Sequence, residues 1–153
     1  PGINSLRYAA DKMAIISTVQ NDDCLIDSTN PGNRLATGME FSELPSDISA
    51  ELQPSDDTAY VLNYAIENYQ SDDLKISVMR RFTGEDTENM DGKICNITAC
   101  SPRFQTPRGL KAGDTEQSIT ILYGTWDDPF LVFSTENDRV DTIELRKNYY
   151  TAG

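Results

Sequence analysis

From Tyr60 onward, large side chains fall on every second residue: Tyr60, Leu62, Tyr64 and Ile66 alternate with smaller or polar neighbours. A period of two belongs to a β-strand, whose successive side chains point to opposite faces. The pattern predicts a strand over 58–69 with these four side chains on one face. Gln70-Ser71-Asp72-Asp73 then reverses the chain, and Leu74, Ile76 and Val78 resume the alternation, which predicts an antiparallel partner at 74–82. The polar run 83–92 is expected to be a loop. Residues 94–100 read as a further strand, with Cys95, Ile97 and Ala99 on the expected core face and Ile94, Asn96, Thr98 and Cys100 on the other. A second hairpin is predicted from 130–134 and 140–146, joined around Asn137-Asp138, with a loose tail after Asn148.

Helical spacing is confined to short stretches. Leu44, Ile48 and Leu52 recur every four residues, Ser42 is placed to cap them, Pro45 fits a first turn and Pro54 blocks continuation, so a helix is expected at 43–52. Asp114 as N-cap and Gln117 three residues later have the spacing of a capping box, followed by an apolar stripe of Ile119, Leu122 and Tyr123 and a stop at Gly124. Near the start, Leu6, Ala9, Ala10, Met13 and Ile16 suggest a helix at 5–16, although residues 15–19 suit a strand equally. Asn30-Pro31-Gly32-Asn33 is a turn signal that sets an N-terminal arm, 1–34, apart from one domain at 35–153. The expected class is α+β, with short helices packed on an antiparallel β-sheet.

Composition agrees with one folded domain. A chain of 153 residues is long enough to bury a core without metals or disulfides, and seven Tyr, five Phe and one Trp supply bulk to a hydrophobic fraction of only 38%. The formal charge of −12 repels nucleic acid and anionic lipid, so no nucleic acid partner is expected. No apolar run of membrane-spanning length occurs. The start at Pro1-Gly2 without an initiator Met is expected to reflect trimming, which leaves room for a removed signal or lipid-anchor segment, so the absence of one here is uninformative. Of three cysteines, Cys95 and Cys100 would lie roughly 16 Å apart on an extended strand, too far for a disulfide unless the chain bends.

The chemistry is bounded most sharply by what is missing. With no histidine, Ser-His-Asp and Cys-His nucleophiles and His-ligated metal sites are excluded. Paired carboxylates could still hydrolyse a glycoside, but among 25 acids a chance pair is expected, and none stands in an apolar context. The acidic stretch 85–91 fails calcium-loop spacing, because Met90 and Gly92 fall at ligand positions. Asn96-Ile97-Thr98 matches a glycosylation triplet inside an expected strand. Trp126, in the polar loop Thr125-Trp126-Asp127-Asp128-Pro129, together with Tyr69 and Tyr123 read as outward tyrosines, forms the candidate partner-binding set.

Two segments echo one another. Thr37-Gly38-Met39-Glu40-Phe41-Ser42-Glu43-Leu44 and Arg108-Gly109-Leu110-Lys111-Ala112-Gly113-Asp114-Thr115 each set a glycine and an apolar residue ahead of a short helix and then strands, suggesting repeats at 37–105 and 106–148. The longer line from Ser101-Pro102-Arg103-Phe104 through Arg108-Gly109-Leu110 and Gly113-Asp114-Thr115 to Tyr123-Gly124 resembles a pattern in secreted proteins and lipoproteins of Gram-positive bacteria. These look like the group that includes the β-lactamase-inhibitor-protein fold and the SmpA-type assembly lipoproteins. The resemblance implies helical segments on an antiparallel sheet, an extracellular or envelope location and a protein-binding or structural role. In the first copy Pro45 interrupts the helix start and the glycine after the helix is missing. The expectation is therefore a non-enzymatic binding module without cofactor. A sensor domain for a small ligand or sugar and a carboxylate-dependent hydrolase are the alternatives.

Overall fold

The computed structural model describes residues 24–61, 64–81, 92–125 and 128–147. The expected helix at 5–16, the loop at 83–92 apart from Gly92, and the tail after Asn148 lie outside them. A three-stranded antiparallel sheet joins β1 (Cys24–Asp27), β2 (Arg34–Ala36) and β7 (Phe104–Gln105) in the order β2-β1-β7. A six-stranded antiparallel sheet runs β3-β4-β5-β6-β9-β8, from β3 (Gln53–Val61), β4 (Tyr64–Gln70), β5 (Leu74–Arg81) and β6 (Lys93–Ala99) to β9 (Arg139–Arg146) and β8 (Leu131–Glu136). Among the described residues, two helices, α1 (Ser46–Ser49) and α2 (Glu116–Tyr123), complete the α+β arrangement.

The expected pairing of β4 with β5 is present, from Tyr64 opposite Arg81 to Gln70 opposite Lys75. Leu74, Ile76 and Val78 are all buried on one face. The single strand over 58–69 is not. Val61 already pairs with Tyr64 and Tyr60 with Ala65, so this stretch belongs to two antiparallel strands. Opposite partners share a face, which puts Tyr60 on the face of Ala65 and away from Tyr64 and Ile66. Leu62 lies outside the described residues. Alternation continues through a tight reversal, and no glycine or proline between Tyr60 and Ile66 marks it.

On β6 the face assignment shifts for a different reason. Ser77 pairs with Asn96 but Val78 pairs with Ile94, leaving Cys95 as the extra residue of a bulge. The core face therefore carries Ile94, Ile97 and Ala99, and Cys95 turns to the outer side, where its Sγ lies 3.5 Å from the Ser77 carbonyl oxygen. All three cysteines are free thiols.

The helix at 43–52 is shorter and split. Pro45 is extended, at φ −54° and ψ 140°, and separates a 3-10 turn, Phe41–Glu43, from α1. Ser42 lies inside that turn rather than capping it, and the Glu40 N–H donates to Glu43 Oε1 at 3.0 Å. The fourfold spacing still reports burial, since Leu44, Ile48 and Leu52 all enter the core. At α2 the N-cap is Thr115, not Asp114, and the capping box with Gln117 does not form. Asp114 instead closes the preceding turn by accepting the Lys111 N–H at 3.0 Å. Gly113 in that turn has φ +94°, where an L side chain is strained. Asn137 and Asp138 both take positive φ, the pairing a two-residue hairpin needs.

Residues 24–34, assigned by sequence to a separate arm, are part of the main body. β1 pairs on both sides, with β2 across the Asn30-Pro31-Gly32-Asn33 turn and with β7 from far along the chain, and Leu25 is fully buried. One core gathers Leu25, Leu35 and Phe104 of the small sheet, Ile48 of α1, Tyr123 of α2, and Leu74, Ile76, Ile97 and Ile143 of the large sheet. Both helices and the small sheet thus cover the same face of the six-stranded sheet.

Candidate functional site

The opposite face of the large sheet carries a row of half-exposed polar side chains beside the buried Met79 and Cys95. Along it Ser77 donates to Asn68 Oδ1 at 2.6 Å, Thr98 to Asn96 Oδ1 at 3.2 Å, and Asn96 Nδ2 to Glu144 Oε2 at 2.6 Å. Arg146 completes the row through Glu144 at 2.8 Å. Burial alone would raise the Glu144 carboxyl, but hydrogen bonds from Arg146 and Asn96 outweigh it and hold the group below the usual range.

A groove of about 480 Å3 lies on this face, lined among others by Ile66, Cys95, Asn96, Pro129, Phe130 and Arg146. Its walls are fixed by backbone: the Arg146 N–H donates to the Phe130 carbonyl at 2.8 Å and the Lys147 N–H to the Cys95 carbonyl at 3.0 Å. Asp128 Oδ1 accepts the Phe130 N–H at 2.8 Å, holding the tight turn that leaves the Phe130 ring 54% exposed. Within the groove, burial pushes the Cys95 thiol up to about 11.

Of the three residues proposed from sequence, Trp126 lies outside the described residues, two positions ahead of the turn that bears Phe130. The other two are not outward. Tyr69 lies opposite Ile76 on the covered face, its ring stacked on Phe41 at 4.5 Å and its hydroxyl donating to Glu67 Oε2 at 2.9 Å. Tyr123 is only 2% exposed, its ring 5.2 Å from that of Phe133 and beneath the Arg108 guanidinium. Tyr123 is taken up by the apolar layer between helices and sheet, and Tyr69 packs against that layer partly buried.

A second feature escaped the sequence reading. Arg103 reaches Asp27 at 3.2 Å, Glu51 at 2.6 Å and Asp73 at 3.1 Å, tying the small sheet to the end of α1 and to the β4–β5 turn. Asp27 is fully buried and also accepts from the Thr29 N–H and hydroxyl at 2.9 and 2.6 Å. Burial would raise its carboxyl, yet the bonds from Arg103 and Thr29 dominate and hold it at about 2. Hydrogen bonds to Asp27, Glu51 and Asp73 push the Arg103 guanidinium above its ordinary value. This cluster joins layers. The acids Glu51 and Asp73 that it engages also line an open depression of about 640 Å3 together with Asp72.

Among the described residues no group of three metal-capable side chains comes together, and no helix is long and apolar enough to cross a membrane. Comparison with protein-family models, with curated proteins and with solved structures returns no match.

Proposed function

We propose that this chain is a non-catalytic protein-binding module of the cell envelope, engaging its partner through the outer face of the six-stranded sheet. The observation that carries the reading is the exposed Phe130 ring beside the groove formed with Ile66, Pro129 and Arg146. Partly solvated aromatic rings next to an arginine are the residue types on which protein interfaces concentrate their binding energy. Trp126 stands close enough in sequence to extend that patch. The location rests on the Arg-Gly-Leu, Gly-Asp-Thr and Tyr-Gly resemblance to exported proteins.

Against the carboxylate-hydrolase reading stands the chemistry of the acids themselves. A general acid needs a raised pKa, whereas Asp27 and Glu144 are both shifted toward the ionised form. In the acid-lined depression, Glu51 and Asp73 both already engage one guanidinium. The test is quantitative pull-down from native envelope extract with wild type, Phe130→Ala and Trp126→Ala, each checked for folding by circular dichroism. Loss of a hot-spot aromatic should weaken capture about tenfold. An unchanged partner set with both variants, or glycan hydrolysis by purified wild type, would sink the proposal.

A further inference from the structure

The edge of a sheet still offers backbone hydrogen bonds, and what guards an edge decides what is able to use it. β3 ends the six-stranded sheet, pairing among the described residues with β4 alone, and residues 56–60 are all exposed. Its register is regular where residues 58–61 face residues 64–67, and breaks between Pro54 and Thr58. There Ser55, Asp56 and Asp57 stand opposite the single residue Asn68. Within that irregular stretch the backbone of Asp57 is satisfied locally: Asn68 Nδ2 donates to the Asp57 carbonyl at 2.7 Å, and Ser55 Oγ accepts the Asp57 N–H at 3.3 Å.

Two consequences follow for an incoming strand. Pro54 and the break stop it from running the full length of β3, so the regular stretch at 58–61 is what remains to be lengthened. At the head of that stretch stand Asp56 and Asp57, and β3 carries no Lys or Arg. Tyr60, 70% exposed, adds a ring suited to a cross-strand partner. A second copy of this chain is a poor occupant, since it brings the same aspartates and a further formal charge of −12.

We infer that β3 is a docking edge for an extended, basic segment of another protein, which adds as a strand along residues 58–61 and sets its cations against Asp56 and Asp57. This rests on a different surface from the Phe130 groove and stands or falls separately. Main-chain bonds supply the pairing and the aspartates supply the choice of partner.

The experiment is a nuclear magnetic resonance titration of the full chain with an eight-residue peptide alternating lysine and valine. A control peptide replaces each lysine with glutamate, and two further lysine peptides are N-methylated on alternate residues, one on each hydrogen-bonding side. Expected are amide shifts and slowed exchange at residues 58–61, and no binding of the glutamate peptide. One N-methylated peptide should bind as the parent does and the other not at all. Two exposed charge pairs predict affinity about tenfold weaker for D56N/D57N at low salt. Shifts centred elsewhere, equal binding of both N-methylated peptides, or unchanged affinity of D56N/D57N would each overturn the inference. So would sedimentation of the wild type as a dimer that protects residues 58–61.

Discussion

Asn96 and Ile97 are neighbours on β6 and live in opposite surroundings. Ile97 is fully buried between its cross-strand partners Ile76 and Leu145, whereas Asn96 lies half-exposed between Ser77 and Arg146, with its amide on Glu144. The same contrast recurs on β5, where Ile76 is buried and its neighbour Ser77 is half-exposed. The covered face gains its stability from apolar area removed from water, at roughly 25 cal/mol per Å2. The open face has its polar groups paired with one another, so it presents a defined surface while adding little to stability. Stability is thus concentrated on one side of the sheet, and the proposed recognition falls on the other.

The strongest challenge to that division is Arg103, a charge on the covered side. Removing it in Arg103→Met leaves Asp27 buried and ionised without its main partner, and breaking a buried pair in this way costs about 4 kcal/mol. Urea unfolding at pH 7 measures the loss. The sign of the pH dependence follows from Asp27, whose carboxyl is held at about 2, below its ordinary 3.8. Its contribution is complete above pH 4 and is lost as pH falls through that window toward 2. In Arg103→Met the acid-linked loss should shrink or reverse, because the bond that holds the Asp27 carboxyl down is gone while burial still raises it, and adding Asp27→Asn should restore part of the stability at pH 7. A variant as stable as wild type would mean that the cluster is decorative and the covered face purely apolar in its energetics.

Next in size is Ile97→Ala. Deleting a fully buried aliphatic side chain from a packed sheet face costs about 3 kcal/mol through lost burial and the cavity left behind. The readout is the urea midpoint at unchanged slope. A loss under about 1 kcal/mol would show that the core repacks around the gap, blurring the distinction between the faces.

Much of the covered face was legible in the sequence. Leu74, Ile76 and Val78 alternate because one face of β5 is buried, and Leu44, Ile48 and Leu52 keep fourfold spacing even though Pro45 splits their helix. What alternation cannot report is chain reversal or a bulge. Tyr60 and Tyr64 fell on opposite faces because the chain turns between them, and Cys95 changed side because one extra residue enters β6. The candidate site was less legible for a related reason. Tyr69 and Tyr123 have polar tips and large rings, and only three-dimensional neighbours decide which end prevails. Phe130 reads as the first residue of a strand, and its exposure depends on the turn closed by Asp128. Arg103 bonds to Asp27 from 76 positions away, a separation that no local pattern encodes.

On the open face the matching substitution is Asn96→Ala. It removes the amide that links Thr98 to Glu144, but those partners remain within reach of water, so the cost should be about 1 kcal/mol or less. Measured under the same conditions as Ile97→Ala, this tests the comparison within one strand. A cost equal to that of Ile97→Ala would mean that the polar row is structural and that the outer face is not free to serve recognition.

The smallest effect is expected at Cys95, which sits on the open side of the sheet yet is itself buried at the bulge. The thiolate is the reactive form, and burial pushes this thiol up to about 11. At pH 8 only about one molecule in a thousand would carry the thiolate. Cys100 is also raised by burial, but it is partly exposed at the end of the strand. Iodoacetamide at pH 8 should therefore label Cys100 first and leave Cys95 unmodified over the same interval, while urea-unfolded protein labels all three cysteines. Mass spectrometry of the digested chain locates the label. Rapid native labelling of Cys95 would show that the groove floor opens to solvent at the bulge, and that the outer face is less firmly built than its hydrogen-bonded row implies.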